Sequence, residues 1–341
     1  MVHPRPPTTL ADVAERAGVS RQTVSNAINN PLLLRPDTLH RVRSAIDALG
    51  YTPNHAARQL RTRASRLIGL YLRPTQEVTA TMARDRFVGE LVAAAQRVGY
   101  HVLLFSDDDV LAGDSPDAFA GYEDLLRSTA VDAFVVTDTY LNASQSTELT
   151  RRGAPFVAFG RPWEDPEAPH GWIDVDGAAG VRAGTEHLVD QGHERIAWVG
   201  WQAETKVGAD RRSGWASTMA ARDLPMAGLE VHVEPTVDAG RVAVAAMLDE
   251  QAPTAIVCVS DALAVGALQA LAEHGATPGR DVRVIGFDDS QIAQVLGLTS
   301  VRSPLDQVAS ALVADLVSLL GPGQYDPRGL LLAPELVVRR T

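Results

Sequence analysis

Residues 9–30 read TLADVAERAGVSRQTVSNAINN, and this stretch decides how the first part of the chain folds. Thr9 followed by Asp12 has the form of a capping box, with aspartate in place of glutamate at the third position. Leu10, Val13, Ala14 and Ala17 then set one apolar stripe at helical spacing, and Gly18 stops the helix. Ser20 caps a second helix whose stripe is Val24, Ala27 and Ile28. Only Gly18 and Val19 lie between the two, so the helices must cross steeply, as in a helix-turn-helix. Asn29-Asn30-Pro31 ends the second helix. A third starts near Pro36, buries Leu39, Val42, Ile46 and Leu49, and stops at Gly50. The second helix turns Arg21, Gln22, Ser25, Asn26 and Asn29 outward. These side chains can make paired hydrogen bonds to guanine or adenine edges in a major groove, whereas a merely solvated face more typically carries Glu and Lys.

Charge supports the same reading. Residues 1–66 hold ten arginines, no lysine and four acids, a surplus of six positive charges. The other 275 residues must then carry −17 for the 341-residue chain to come to −11. A basic head on an acidic body points to a polyanionic partner for the head alone. Residues 51–66, YTPNHAARQLRTRASR, follow it. Pro53 and Asn54 set a helix start, but His55–Leu60 makes fewer than two turns, too short to be stable in isolation. Ala57 and Leu60 form a small apolar edge suited to a twin helix or to insertion between base pairs. The plain alternative is a flexible linker, and both can hold in turn.

From Leu67 the pattern changes to short apolar runs: Leu67–Leu72, His101–Phe105, Ala133–Thr137, Phe156–Phe159, Ile196–Val199, Glu230–Val233, Ala255–Val259 and Val282–Phe287. Amphipathic segments such as Phe87–Val98, Val181–Gln191 and Ala262–His274 alternate with them. That alternation predicts an α/β body of parallel sheets with helices on both faces, and a break near Pro162–His170 divides it into two halves. Near the end, Leu298–Arg302 leads into a helix with Ser303 as cap, Pro304 as first residue and Gly321 as stop, and a last strand spans Leu330–Val338.

The single cysteine, Cys258, lies in an apolar run and excludes a disulfide framework or a multi-cysteine metal site. No run reaches the ~18 apolar residues of a membrane span, and the N-terminus lacks the apolar core of a secretory signal, so a cytoplasmic protein is expected. Dinucleotide, P-loop, nucleophile-elbow and HExxH motifs are all absent, and neither a catalytic residue nor a cofactor or metal is expected. His187 and His193 are spaced poorly for one metal, and Asp107-Asp108-Asp109 reads as a solvated loop. A ligand cleft remains. Small molecules sit at the carboxyl ends of strands in open α/β sheets. Ser260-Asp261, Asp288-Asp289 and Arg211 fall there, with Phe87 and Trp163 as apolar faces from the first half. An aspartate with an arginine suits vicinal hydroxyls; singly, each residue reads equally well as a helix cap or surface ion pair.

The head motif, the Gly50-Tyr51-Thr52-Pro53-Asn54 junction and AARQL resemble the DNA-binding head and hinge helix of the lactose-repressor (LacI/GalR) family. The likeness runs through LIGL at 67–70, VDAFVV at 131–136, HLVDQGHERIAWVG at 187–200, DRRSGW at 210–215, SDALAVGALQAL at 260–271 and VIGFDD at 284–289, essentially the whole chain. It implies a helix-turn-helix domain over 1–52 and a hinge over 53–66. An effector-binding and dimerisation body follows over 67–341, built of two subdomains like those of periplasmic sugar-binding proteins. One covers about 67–175 and 303–325, the other about 176–300 and 327–341.

The resemblance further implies a homodimer on an inverted-repeat operator in double-stranded DNA. Arg21 and Gln22 match base-reading positions and Leu60 the hinge leucine; Thr9, Ser20, Thr23, Ser25, Asn26, Asn29, Tyr51, Asn54 and Ala57 complete the expected DNA contacts. Asn26 stands where the family very often has arginine, and an asparagine there favours adenine. For the effector, Arg211 and Asp288 match sugar-hydroxyl contacts, with Ser260, Phe87, Arg73, Asp176 and Trp163 around them. Gly177 replaces the asparagine usual after Asp176, and Glu-Pro-Thr near residue 235 replaces an aromatic of some members. The chain ends without a leucine-heptad tail, which favours a dimer over a tetramer. The expected function is repression of carbohydrate-use genes relieved by a mono- or disaccharide. The alternative within the family is a nucleobase, sugar phosphate or phosphocarrier protein acting as corepressor.

Overall fold

A computed structural model describes residues 8–51, 64–72, 78–106, 119–137, 144–165, 167–201 and 205–341. The chain divides into two units, Met1–Ala64 and Ser65–Thr341. Asn54, Ala57, Leu60, Arg73, the hinge helix and Asp107-Asp108-Asp109 lie outside the described residues.

Local signals shape the head. The Thr9 hydroxyl accepts from the Asp12 amide at 3.4 Å and the Asp12 carboxylate accepts from the Thr9 amide at 2.7 Å, starting α1 (Leu10–Ala17) with a full capping box. Those hydrogen bonds, the backbone one first, hold the Asp12 carboxyl below its ordinary range. Gly18 ends the helix at φ 62°, a left-handed conformation that glycine adopts without steric cost. Ser20 caps α2 (Arg21–Asn29), accepting from the Thr23 amide at 3.1 Å. Helix α3 (Pro36–Leu49) closes the triangle. The core is Val13, Ala14, Ala17, Val24, Ala27, Val42, Ala45 and Tyr51, mostly small side chains that let helix axes come close.

The body holds two six-stranded sheets. The first contains β1 (Leu67–Tyr71), β2 (His101–Phe105), β3 (Ala133–Val136), β4 (Phe156–Phe159), β5 (Trp172–Val175) and β11 (Gly329–Leu332). Their order is β11-β5-β4-β3-β1-β2, every pair parallel. The second contains β6 (Ile196–Trp201), β7 (Glu230–Val233), β8 (Ala255–Cys258), β9 (Arg283–Phe287), β10 (Thr299–Arg302) and β12 (Glu335–Val337), ordered β12-β10-β9-β8-β6-β7 with only β12 antiparallel. Helices α4 (Val78–Arg97), α5 (Ala120–Arg127) and α6 (Ser144–Arg151) connect the first sheet. Helices α7 (Gly177–Asp190), α8 (Lys206–Ala221), α9 (Val237–Gln251), α10 (Asp261–Glu273) and α11 (Gln291–Leu296) serve the second, and α12 (Leu305–Leu319) follows.

The chain passes between the sheets three times, after Val175, after Arg302 and after Leu332. So α12, which follows a strand of the second sheet, buries Val308, Leu312 and Leu316 with Leu91, Ala94 and Ala95 of α4 in the core of the first. The second core is centred on Trp198 and Trp215, whose rings lie 6.3 Å apart, and the Trp215 indole donates to the Ile196 carbonyl at 3.1 Å. Helices α7 and α8 pack closely at Gly214, where a Cβ would sit 2.2 Å from the Ala178 carbonyl oxygen. Among the described residues no helix is long and apolar enough to cross a membrane.

Three expectations need correction. The break expected near Pro162–His170 falls later, at Asp176, because Trp172–Val175 is a further strand of the first sheet. The last strand expected over Leu330–Val338 is two strands. Residues 329–332 pair with β5, so this part of 327–341 belongs to the first half. Pro334, which has no amide hydrogen to donate, stands at the change of sheet. The final helix is capped one residue later than expected, by Pro304, while the Ser303 carbonyl accepts from the Leu305 amide at 2.9 Å.

Candidate functional site

Two surfaces carry chemistry, one in each unit. On the head, the cap that starts α2 places Arg21 and Gln22 in its exposed first turn. Gln22 Nε2 donates to Asn26 Oδ1 at 3.0 Å, one turn along, which orients both amides on the same face. Ser25 and Asn26 are half-buried beside them, and Asn29 closes the helix. Other expected contacts also have structural work. The Thr9 and Ser20 hydroxyls are engaged in caps, and the Thr23 hydroxyl lies 2.8 Å from Ser20 Oγ. The Tyr51 amide donates back to the Ile46 carbonyl at 3.1 Å past the turn at Gly50, and its side chain, 8% exposed, joins the head core.

In the body, the carboxyl ends of β6, β8 and β9 converge. Trp201 ends β6, Ser260 follows β8, Asp288 follows β9, and Arg211 reaches in from α8. Arg211 Nη1 donates to the Val259 carbonyl at 2.7 Å and Nη2 lies 3.6 Å from Asp288 Oδ1. Its guanidinium sits 3.6 Å over the Phe287 ring and 5.3 Å from that of Trp201. Burial pulls the Arg211 pKa down, against Asp288 nearby, and pushes the Asp288 carboxyl up to about 7, with Arg211 opposing and Asp261 adding. Asp261 itself is pushed up to about 6 by burial, opposed by hydrogen bonds from the Ser300 hydroxyl at 2.6 Å and the Ser290 amide at 2.7 Å.

From the first half, Arg161 Nε donates to Asp174 at 2.6 Å, and its Nη1 meets Asp210 of α8 at 3.5 Å, joining the two halves beside Arg211. Trp163 lies under the same guanidinium at 4.3 Å. Burial raises the Asp210 pKa, with Arg161 opposing.

Arg211 Nε, Ser260 Oγ, Trp163 Nε1 and Trp201 Nε1 are buried with no hydrogen-bond partner among the described residues. Trp198 Nε1, deep in the core, shares that state, so a lone orphan marks nothing. Three that belong to or stack on Arg161 and Arg211, with Ser260 next in the chain to the Val259 carbonyl that Arg211 binds, do, since buried polar groups are normally satisfied. What fits is a small ligand offering both donors and acceptors.

Two of the expected effector residues have partners within the fold. Phe87 is 4% exposed, with its ring 4.7 Å from that of Phe159, and its helical spacing to Leu91 and Ala94 places it in the first core. Asp176 caps α7, accepting from the Ala179 amide at 2.9 Å. Among the described residues no cluster of His, Cys, Asp and Glu has metal-holding geometry, and Cys258 is buried with its thiol pKa raised by that burial.

Residues 9–54 match the bacterial regulatory proteins of the lacI family, and residues 185–341 match a periplasmic binding protein-like domain. An uncharacterized HTH-type transcriptional regulator of Streptomyces limosus is 32% identical over 97% of this chain and 93% of its own. This chain belongs to the lacI family. It is therefore a DNA-binding transcriptional regulator with a helix-turn-helix head. The solved lac repressor dimer bound to operator and the anti-inducer ONPF is 27% identical, with TM-score 0.77, covering 98% of this chain and 99% of that one. A complex of the transcriptional regulator CelR with cellobiose is also 27% identical, with TM-score 0.71 and the same coverage.

In this lacI-family regulator, sequence reasoning overlooked Trp201 and Asp210. Trp201 carries a signal in hindsight, because the apolar run of β6 continues two residues past Val199 and ends on an aromatic. Asp210 is the neighbour of an arginine already singled out, but its partner Arg161 lies 49 residues away.

Proposed function

We propose that this regulator acts in the cytoplasm as a homodimeric repressor of carbohydrate-use genes, and that a neutral mono- or disaccharide bound between the two halves of its body releases it from an inverted-repeat operator. The observation that carries the ligand class is the Arg211–Asp288 pair with the orphaned Arg211 Nε and Ser260 Oγ beside it. A guanidinium donates, a carboxylate accepts and a hydroxyl does either, which suits vicinal hydroxyls. Neutrality is favoured because each described arginine here already faces a carboxylate: Arg211 Asp288, Arg161 Asp174 and Asp210, Arg212 Glu230. A phosphate would compete with those acids. Similarity to the cellobiose-bound CelR supports a sugar, and similarity to the operator-bound lac repressor dimer supports the assembly.

In this reading Arg21, Gln22, Ser25, Asn26 and Asn29 face the major groove, and Asn54, Ala57 and Leu60 enter the minor groove. Sugar bound to Arg211 and Asp288 draws the halves together and changes the spacing of the hinges, so sugar and operator compete through one conformational equilibrium. The test is operator binding by fluorescence anisotropy, titrated with neutral mono- and disaccharides including cellobiose. At least one should weaken operator binding of the wild type, and Asp288→Ala should bind operator normally yet ignore that sugar. An unchanged response in Asp288→Ala removes the assigned site.

A further inference from the structure

We infer that Asp289 is a positioning residue for the effector site: clamped by Arg302 and Arg339, it holds the Asp288 carboxylate in place and ties it to the segments where the chain passes between its two halves. The inference rests on Asp288 as a ligand contact, but not on which ligand it takes.

Asp288 and Asp289 have φ of 107° and 48°, two successive aspartates in backbone regions that L residues rarely adopt. Such conformations persist only where the surroundings hold them, and they gather at functional sites. Here the hold is visible. The Asp288 amide donates to the Val301 carbonyl at 2.8 Å and the Asp289 amide to Ser300 Oγ at 3.0 Å. The Asp289 side chain is fully buried: Oδ2 accepts from Arg302 Nε at 2.7 Å and Oδ1 from Arg339 Nη2 at 2.5 Å. Three consecutive residues of β10 thus grip the two aspartates.

The clamp also faces away from the site. Arg302 is the last residue of β10 before the chain passes to α12, and its Nη1 lies 3.5 Å from Glu335, the first residue of β12 after the chain returns. Arg339, just beyond β12, also donates to the Leu298 carbonyl at 2.7 Å. Two of the three crossings therefore meet on one carboxylate whose neighbour in the chain is Asp288. Closure of the halves must bend these crossings, so Asp289 converts that bending into displacement of Asp288. An ordinary stabilising ion pair makes no such prediction.

The test uses the full-length protein without ligand, comparing wild type with Arg302→Gln. By hydrogen exchange, the amides of residues 288–290 should exchange at least tenfold faster in the variant while β1 and β8 stay within twofold. The Asp288 carboxyl, followed by carbon NMR, gives a readout of opposite signs. Its charged surroundings are Arg211 and Asp261, and removing a further cation should raise its midpoint if only charge matters. Loosening of the loop instead exposes it and lowers the midpoint by at least one unit, toward the ordinary ~4. Unchanged protection, protection lost equally everywhere, or an unchanged or raised midpoint would overturn the inference. Should Arg302→Gln fail to fold, Arg339→Gln reads the same clamp from its other arm.

Discussion

The head and the body of this regulator reach order by different routes. The head is held by short-range devices: a capping box at Thr9, a serine cap at Ser20, a left-handed glycine at Gly18, and a core of mainly alanine and valine. In the body, large side chains far apart in sequence interlock, as Trp198 with Trp215 and α4 with α12. Their acids differ in the same sense. The exposed Asp12 is held below its ordinary pKa by hydrogen bonds it accepts, whereas burial pushes Asp261 and Asp288 above theirs. The head presents polar groups such as Arg21 and Gln22 to solvent; the body buries several of its own around Arg161 and Arg211.

The largest expected effect lies in the body. Trp215→Ala should lower the urea-unfolding free energy of the body by about 3–5 kcal/mol, since a ring, its stacking partner and a buried hydrogen bond are lost together. A loss under 1 kcal/mol would mean that the body, like the head, leans on local devices. Next comes pH. An acid whose folded pKa lies above its unfolded one binds more protons when folded, so its contribution is fullest below about pH 4 and is lost as pH rises through the folded values, here about 6 and 7. The body should therefore be more stable at pH 5.5 than at pH 8, with a slope of at most about 1.4 kcal/mol per pH unit for each group. Asp288→Asn should remove much of that difference in chemical denaturation; an unaltered slope would sink the assignment. Asp12 works with the opposite sign, its contribution fading only as acid protonates it.

On the head, Arg21→Ala or Gln22→Ala should each weaken operator binding by about 1–3 kcal/mol, with the melting of the body unmoved. Equal weakening on operator and random DNA would reassign these residues to phosphate contacts. The smallest effect belongs to Ser20→Ala, about 1 kcal/mol of head stability read by thermal melting. No shift there would show that the cap is dispensable.

What could be read from sequence follows the same division. Caps, glycine stops and apolar stripes specify three head helices within a few residues of each signal, and Ser260 and Asp288 fall at strand ends that are visible as the ends of apolar runs, whereas Arg211 lies within a helix. Harder positions depend on distant partners. Trp172–Val175 is short and carries the buried Asp174, whose burial makes sense only once Arg161 pairs with it. Leu330–Val338 looks continuous until Pro334 is seen to divide it between two sheets. Phe87 and Tyr51 are buried by partners distant in sequence, and packing decides which way such a ring faces.

We propose that the body holds a neutral-sugar site built on Arg211, Ser260 and Asp288. The most direct test is thermal melting of the full-length protein against neutral mono- and disaccharides, sugar phosphates and nucleobases, in wild type and Asp288→Ala. A sugar at ~100 times its Kd should stabilise the wild type by about 2.7 kcal/mol, and Asp288→Ala should show no shift at that concentration. Stabilisation by a phosphate or purine alone, or an equal shift in the variant, would contradict it.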